Sequence, residues 1–251
     1  MDFPSVVFLA SLVAMSLSAW IGAALLRRVK HLTAESREDF NVVQAATLTL
    51  LALMIGFSFS MAVGRYDQRK NYEEDEANAI GTEFVRADLL PAADAQQVRT
   101  LLARYLEQRL RFYKTRDAHE LEQINAATTE LQTGLWAAVR DAASAQPTPV
   151  TALAVAGMND VLNSQGYTQA AWRNRIPFAA WGLMVAIATC CNLLVGYGAH
   201  TAKVGLTLLV VLPVVVSTSF ALIADIDSPR GGIIRVSPIN LMSTAGSLKP
   251  N

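Results

Sequence analysis

The sequence predicts an all-α integral membrane protein with four transmembrane helices in two hairpins and a helical extramembrane domain between spans 2 and 3. The 251 residues are 52% hydrophobic and only 17% charged. The mean hydropathy is +0.29, which is too apolar for a soluble domain of this size. Four apolar runs are each long enough to cross a hydrocarbon core of about 30 Å. Between the second and third runs charges return, and apolar residues recur at helical spacing.

Residues 1–63 are predicted to form the first transmembrane hairpin, with spans at about 3–26 and 42–63. The first run has roughly 24 residues, which exceeds the membrane thickness at the helical rise per residue. It is too long for a signal peptide, lacks a basic leader and ends in Arg27 and Arg28 without a small-residue cleavage site. We therefore expect this run to be a span. The short connection to the second run makes the two helices antiparallel.

Residues 64–176 are predicted to be a helical extramembrane domain. No helix breaker lies between the second span and Pro91, so one helix is expected to continue out of the span until that proline. Asp94 is expected to cap the next helix, and Gly166 to mark a turn before the third span. Two further sets of apolar residues at three- and four-residue steps predict buried helix faces: Val98, Leu101, Leu102, Tyr105, Leu106 and Leu110, then Leu121, Ile124, Thr128, Leu131, Leu135 and Val139.

Residues 177–226 are predicted to form the second transmembrane hairpin, with spans at about 177–195 and 204–224, followed by a C-terminal tail at 227–251. The connection at 196–203 is so short that these two helices must also be antiparallel. The one candidate strand in the chain is the segment 232–236 in the tail.

Composition and motifs exclude several classes of function. Lys plus Arg and Asp plus Glu both number 21, so the formal net charge is zero and no global field attracts nucleic acid. Cys190 and Cys191 are neighbours in an apolar run, which predicts small buried side chains and no disulfide framework or metal site. The three histidines are scattered, and the sequence has no phosphate loop or nucleophile elbow. We expect a protein that is not an enzyme and has no cofactor, with the lipid bilayer as its surroundings.

The basic residues near the span ends leave the orientation open. One side of the membrane receives five of them and the side of the helical domain receives seven, which favours a cytoplasmic domain and termini. The cluster immediately after the first span favours the reverse. The residues counted are Arg27, Arg28, Lys30, Arg37 and Lys203 on the first side, and Arg65, Arg69, Lys70, Arg173, Arg175, Arg230 and Arg235 on the second.

The second span mixes hydroxyl groups and a glycine into an otherwise apolar helix. Thr49, Leu53 and Phe57 lie four residues apart and share one stripe of that helix, which is able to line a pore. The structural alternative is that the hydroxyls bond backbone carbonyls of their own helix while Gly56 permits close helix packing.

Two acidic groups have both a functional and a structural interpretation. The run Glu73, Glu74, Asp75 and Glu76 is able to ring a vestibule and attract cations in a symmetric oligomer, or it is a solvated helix face. Asp225 and Asp227 end the fourth span, where an ionisable pair marks either a site or the membrane interface. Arg230 and Arg235 are expected to pair with Asp225, Asp227 or the Glu73 to Glu76 run and so tie the tail to the domain. A hydrolase that uses Asp225 and Asp227 is disfavoured, because a spacing of two points them apart on a helix.

The segment 55–69 resembles bestrophins, since the pair Gly56 and Phe57 is followed by Arg65, Tyr66 and the further basic residue Arg69. Segments 75–82 and 225–238 resemble the bestrophin-like domain family of bacterial membrane proteins, and this likeness extends over nearly the whole chain. True bestrophins are pentameric anion channels, with some bacterial members preferring cations, and their second-span helices surround a narrow hydrophobic neck.

The resemblance implies that Thr49, Leu53 and Phe57 occupy the neck positions of such a channel, with a threonine in place of a large aliphatic residue at the first position. It also implies a bacterial inner membrane protein whose domain and termini face the cytoplasm. No acidic calcium clasp of the animal type is present, which argues against that type of calcium gating.

Two hypotheses of different classes follow. The first is a homo-oligomeric ion channel, pentameric by resemblance, in which span 2 lines the pore and inorganic ions are the permeating partners. The second is a non-conducting membrane-anchored scaffold or partner-binding protein. The geometry of the oligomer distinguishes them, because only the channel requires second spans around an open axis.

Overall fold

The computed structural model describes residues 3–26, 33–199 and 202–248, and the regular elements in those ranges are all helical. The transmembrane and domain helices are, in chain order, α1 (Pro4–Ile21, continued by a π-helical turn at Gly22–Leu26), α2 (Ala34–Arg86, followed by a 3-10 turn at Ala87–Leu89), α3 (Ala92–Lys114), α4 (Ala118–Ala145), α5 (Thr151–Arg173), α6 (Phe178–Gly198), α7 (Ala202–Asp227) and α8 (Ile239–Ser247). The predicted all-α class is confirmed.

Four segments within the described ranges are helical, long and apolar enough to cross a membrane. They are Pro4–Ala24, a part of Ser36–Leu89, a part of Thr151–Gly198, and Leu209–Asp227. The protein is therefore an all-α membrane protein with four spanning helices, and helices of the extramembrane domain lie between the second and third spans in the sequence.

The first of two compact units comprises residues 1–65 and 175–235 and contains the spans. In it, α1 packs against α6 and α7. The crossing of α1 and α6 is close: a Cβ added at Gly22 would lie 2.1 Å from the Leu193 carbonyl oxygen, and one added at Gly196 would lie 2.0 Å from the Ala19 carbonyl oxygen. Small residues thus bring the two backbones together, as is common between membrane helices.

The second unit comprises residues 66–174 and 236–251 and has its own apolar core. Here α3 packs against α4, α4 against α5, and α8 against α3. The predicted apolar faces supply much of this core, because helical spacing places these residues on one side of each helix. Its fully buried members include Val98, Leu102, Tyr105, Ile124, Leu135, Val139, Met158 and Val161.

The structure tests the predicted helix ends, the predicted cap and the predicted turn of the helical domain. The second span does continue as one helix, α2, and ends at Arg86 shortly before Pro91. Asp94 is not the cap of α3, because Pro91 holds that position and Asp94 lies in the first turn, where a carboxylate still favours the helix dipole. Gly166 does not make a turn, since α5 continues through it to Arg173. The helix tolerates the cost of this glycine, about 1 kcal/mol, because its buried face is held by packing.

Three further predictions concern the basic residues near the span ends, the tail segment and the two cysteines. The basic residues Arg27, Arg28 and Lys30, which entered the orientation argument, lie outside the described residues, as does the side chain of Lys203. The segment 232–236 forms no strand. Cys191 is buried as predicted, whereas Cys190 is exposed, because adjacent helical residues point in different directions.

Candidate functional site

The predicted stripe on α2 lies on the surface of the first unit. Thr49 is exposed, and the side chains of Leu53 and Phe57 are 51% and 62% exposed. The opposite face of the same helix is buried and includes Leu51 and Ser58. The chain therefore leaves the stripe uncovered and available to lipid, to water or to another copy.

Two polar details of α2 bear on the structural alternative. The Thr49 hydroxyl donates to the Ala45 carbonyl oxygen at 2.9 Å, so this group is satisfied within its own helix. A Cβ added at Gly56 would meet no atom of the described chain within 4 Å. No described residue of the same chain therefore packs closely at Gly56, and close helix packing there stays a prediction for contacts with another chain.

The acidic run at the domain end of α2 divides into two pairs. Glu73 and Glu76 are buried, whereas Glu74 and Asp75 are exposed. A helix turns about 100° per residue, so positions 73 and 76 share one face and the two residues between them point elsewhere. Only Glu74 and Asp75 are placed to face water and attract cations, and the vestibule hypothesis does not hold for Glu73 and Glu76.

Glu76 is the centre of a buried polar cluster in the second unit. Arg109 on α3 donates to it twice, from Nε to Oε1 and from Nη2 to Oε2 at 3.3 Å. The Tyr113 hydroxyl and the Thr168 hydroxyl also donate to Oε2, at 3.3 and 3.1 Å. Burial, with the Glu76 charge second, raises the pKa of the Tyr113 phenol and keeps it protonated as a donor. The cluster satisfies a carboxylate that would otherwise be costly inside the domain.

Glu73 holds the C-terminal helix by its first turn. Its Oε1 accepts from the Leu241 backbone N–H at 2.9 Å, and its Oε2 accepts from the Asn240 side-chain amide at 2.7 Å. The N-terminal N–H groups of a helix have no partner inside the helix, and the helix dipole favours an anion there. The tail is therefore tied to the acidic run by an amide and a backbone group.

The two aspartates at the end of α7 bind different partners. Asp225 accepts from the backbone N–H groups of Ile233 and Ile234, each at 2.8 Å, which folds the chain back on the end of the helix. Asp227 accepts from Arg65 Nη1 at 3.4 Å and from the Ile176 N–H at 3.0 and 3.2 Å.

The pairing of Arg230 and Arg235 with these aspartates or with the acidic run stays a prediction. The bonds described above join α7 to α2, to the segment just before α6 and to the turn after α7, all within the first unit. Arg235 is exposed, whereas Arg230 is half-buried and has an interaction of its own.

Sequence reasoning missed Arg109 and Thr168. A signal for Arg109 was present, because it lies four residues after Tyr105 and seven after Leu102, on the predicted apolar face of α3. A charged residue inside such a stripe indicates a buried partner. Thr168 carried no such signal. Among the described residues, no group of three or more His, Cys, Asp or Glu side chains is arranged to hold a metal ion.

Comparison with known proteins reveals one family. A family model described as Bestrophin-like domain matches residues 9–241. Among curated proteins, none matches the chain in sequence. The chain is similar in structure to a bacterial Bestrophin homologue from Klebsiella pneumoniae, with a TM-score of 0.66 and 15% identity over 96% of this chain and 97% of that chain.

Two related crystal structures agree with this likeness. A point variant of the Klebsiella pneumoniae homologue has a TM-score of 0.66 and 13% identity, over 96% of this chain and 93% of that chain. A point variant of a protein described as a membrane protein has a TM-score of 0.67 and 15% identity, over 95% of this chain and 98% of that chain. At these identities the likeness shows the fold.

Proposed function

The chain belongs to the bestrophin-like domain family, and from this premise we propose that it forms a homo-oligomeric, pentameric ion channel with α2 lining the pore. The observation that carries the proposal is the uncovered stripe of Thr49, Leu53 and Phe57 on a spanning helix whose other face is buried. The open space at Gly56 supports it, since another molecule can approach the helix there.

Leu53 and Phe57 form the constriction of this channel. Rings of apolar side chains from several copies offer an ion no replacement for its hydration shell, so a narrow ring closes by dewetting. Thr49 places a hydroxyl at one end of the same stripe. The apolar part of the neck is therefore shorter, or its Thr49 end better hydrated, than in a neck lined only by aliphatic residues.

We place the protein in the bacterial inner membrane with the helical domain and both termini in the cytoplasm, as the family resemblance implies. The exposed carboxylates of Glu74 and Asp75, on the helix that continues from the pore-lining span, line a vestibule and attract cations. The activity requires no cofactor and no catalytic residue.

Ion flux into liposomes that contain the purified chain tests the proposal, with the oligomeric mass measured in the same detergent. Phe57→Ala and Leu53→Ala each widen and wet the neck, so both are expected to raise the flux several-fold. Phe59→Ala is the matched control, because Phe59 is 40% exposed on another face of the same helix. Its flux is expected to equal that of the parent.

Two results would contradict the proposal. Equal flux for the parent, Leu53→Ala and Phe57→Ala in a conducting oligomer would remove these residues from the neck. A silent monomer or dimer in every form would favour the membrane-anchored scaffold or partner-binding protein.

A further inference from the structure

Glu83 is a buried carboxyl group that the fold does not satisfy. It lies near the end of α2 in the second unit, and its side chain is fully buried. Neither carboxyl oxygen has a hydrogen-bond partner among the described residues. Glu76 and Glu73 lie about two and three turns earlier on the same buried side. They accept four and two hydrogen bonds, respectively. An unsatisfied buried polar group costs stability. Its presence therefore needs an explanation other than packing.

A glycine on α5 makes room for this carboxyl group. A Cβ added at Gly157 would lie 2.0 Å from Glu83 Oε2 and 2.6 Å from Arg86 Nη1. Ile80 on α2 and Ala154 and Met158 on α5, all within three residues of Glu83 or Gly157 in the sequence, are fully buried. The end of α2 and α5 thus meet where the Glu83 carboxyl group packs directly against Gly157.

The charges around Glu83 come from two helices. Arg86 on α2 pairs with Asp160 on α5 at 3.9 Å, and both are partly or largely exposed. Asp88, in the 3-10 turn that packs on α5, pairs with Arg99 of α3. Burial raises the pKa of Glu83 to about 8, with Arg86 acting to lower it and Asp160 to raise it. The carboxyl group is therefore mainly neutral at pH 7, in keeping with its own burial.

We propose that Glu83 and Gly157 form a proton-dependent latch between the end of α2 and α5. With its proton, the carboxyl group stays seated against Gly157 and the two helices are held together. When the proton leaves to solvent, the carboxylate turns out toward Arg86 and water, and the contact opens. Where α2 also lines a pore, which rests on the proposed function, the latch supplies that channel with a pH sensor.

The direction of the pH effect follows from linkage. The folded chain binds the Glu83 proton more tightly than the unfolded chain, in which the carboxyl group has its ordinary pKa of 4.5. The protonated contact therefore contributes its full stabilisation at low pH and loses it as the pH rises through about 8.

Hydrogen exchange of the full chain in detergent tests the latch without any measurement of transport. Exchange rates, corrected for their intrinsic pH dependence, are compared at about pH 6 and about pH 9.5. The amides of α5 around Gly157 are expected to lose protection by roughly tenfold in the parent. Glu83→Gln keeps the shape of the side chain and carries no charge at either pH. In this variant the protection of the α5 amides should therefore not change with pH. The matched control Glu74→Gln removes an exposed carboxyl group of α2 and should behave as the parent does.

Two further variants shift the transition in opposite directions and serve even if Glu83→Gln does not fold. Asp160→Asn removes a negative charge and should lower the midpoint pH, and Arg86→Gln removes a positive charge and should raise it. The latch is overturned if protection in the parent does not depend on pH, if Glu83→Gln shows the same pH dependence as the parent, or if neither charge variant moves the midpoint.

Discussion

Glu76 and Arg109 form an ion pair whose side chains are both completely buried. Removing two charges from water costs several kcal/mol per ion, which the fold offsets with attraction and extra hydrogen bonds. The hydroxyls of Tyr113 and Thr168 supply two of these bonds. The Arg109 guanidinium also lies 4.4 Å from the centre of the Phe112 ring, a favourable cation–π contact. Burial acts against the Arg109 charge, but the Glu76 carboxylate, together with Tyr105 and Tyr113, outweighs it and raises the pKa of the guanidinium.

Arg109→Met is expected to lower the free energy of unfolding by about 3–5 kcal/mol, because it leaves the Glu76 carboxylate buried without its counter-charge. Arg111→Met is the matched control. Arg111 pairs with Glu120 on the surface, where both side chains are at least 40% exposed, and its loss is expected to cost less than about 1 kcal/mol. Denaturant unfolding of the purified variants measures both. Equal costs would mean that the buried pair contributes no more than a surface pair.

At the scale of elements, one carboxylate explains how the short tail helix α8 is held. The helix has nine residues, and isolated helices of that length are only marginally stable in water. Glu73 bonds the first turn of α8, while Leu241 is fully buried in the core of the second unit. Side-chain burial and the bond at the helix N-terminus therefore stabilise α8 together.

Glu73→Ala is expected to release α8 by removing both bonds at its N-terminus. Loss of such a cap typically costs about 0.5–2 kcal/mol. The amides of residues 242–247 should therefore exchange roughly 2–30 times faster in the variant, as measured by hydrogen exchange and mass spectrometry. Glu74→Ala, one residue away and exposed, should leave the exchange of α8 unchanged. Faster exchange in both variants would point to a general effect of the acidic run.

At the scale of the whole molecule, a single chain leaves many large apolar side chains exposed on the surface of the first unit. The exposed large apolar residues of α2 include Val42, Val43, Leu50, Leu53, Phe57, Phe59 and Met61. In a bilayer, lipid or a second copy covers such a surface. The proposed pore is accordingly a property of the assembly, and Glu74 and Asp75 act only where several copies bring them near one axis.

Replacing Glu74 and Asp75 together, as Glu74→Gln with Asp75→Asn, is expected to lower the permeability of cations relative to anions. The reason is that a ring of carboxylates raises the local cation concentration, an effect that salt screens. The reversal potential under a salt gradient measures the ratio, and the shift should shrink at high ionic strength. Glu122→Gln removes an exposed carboxylate of α4 and serves as the control. An unchanged reversal potential in the double variant would exclude the vestibule role.

The sequence by itself determined the features that depend on local pattern. Long apolar runs predicted the spans, because a bilayer requires about 20 apolar residues per helix. Apolar residues at helical spacing predicted the core, since Val98, Leu102 and Leu135 all proved fully buried. The uninterrupted path to Pro91 predicted the length of α2. Each of these features is decided by neighbours within a few turns.

Only the tertiary structure decided the roles of the acidic residues on α2. Glu73, Glu76 and Glu83 are buried, whereas Glu74 and Asp75 are exposed, and nothing in the run distinguishes them by composition. The partners come from far along the chain: Thr168 is 92 residues from Glu76, and Leu241 is 168 residues from Glu73. The state of a carboxyl group depends on its desolvation and on its bonding partners. Both are set by helices that meet only when the chain has folded.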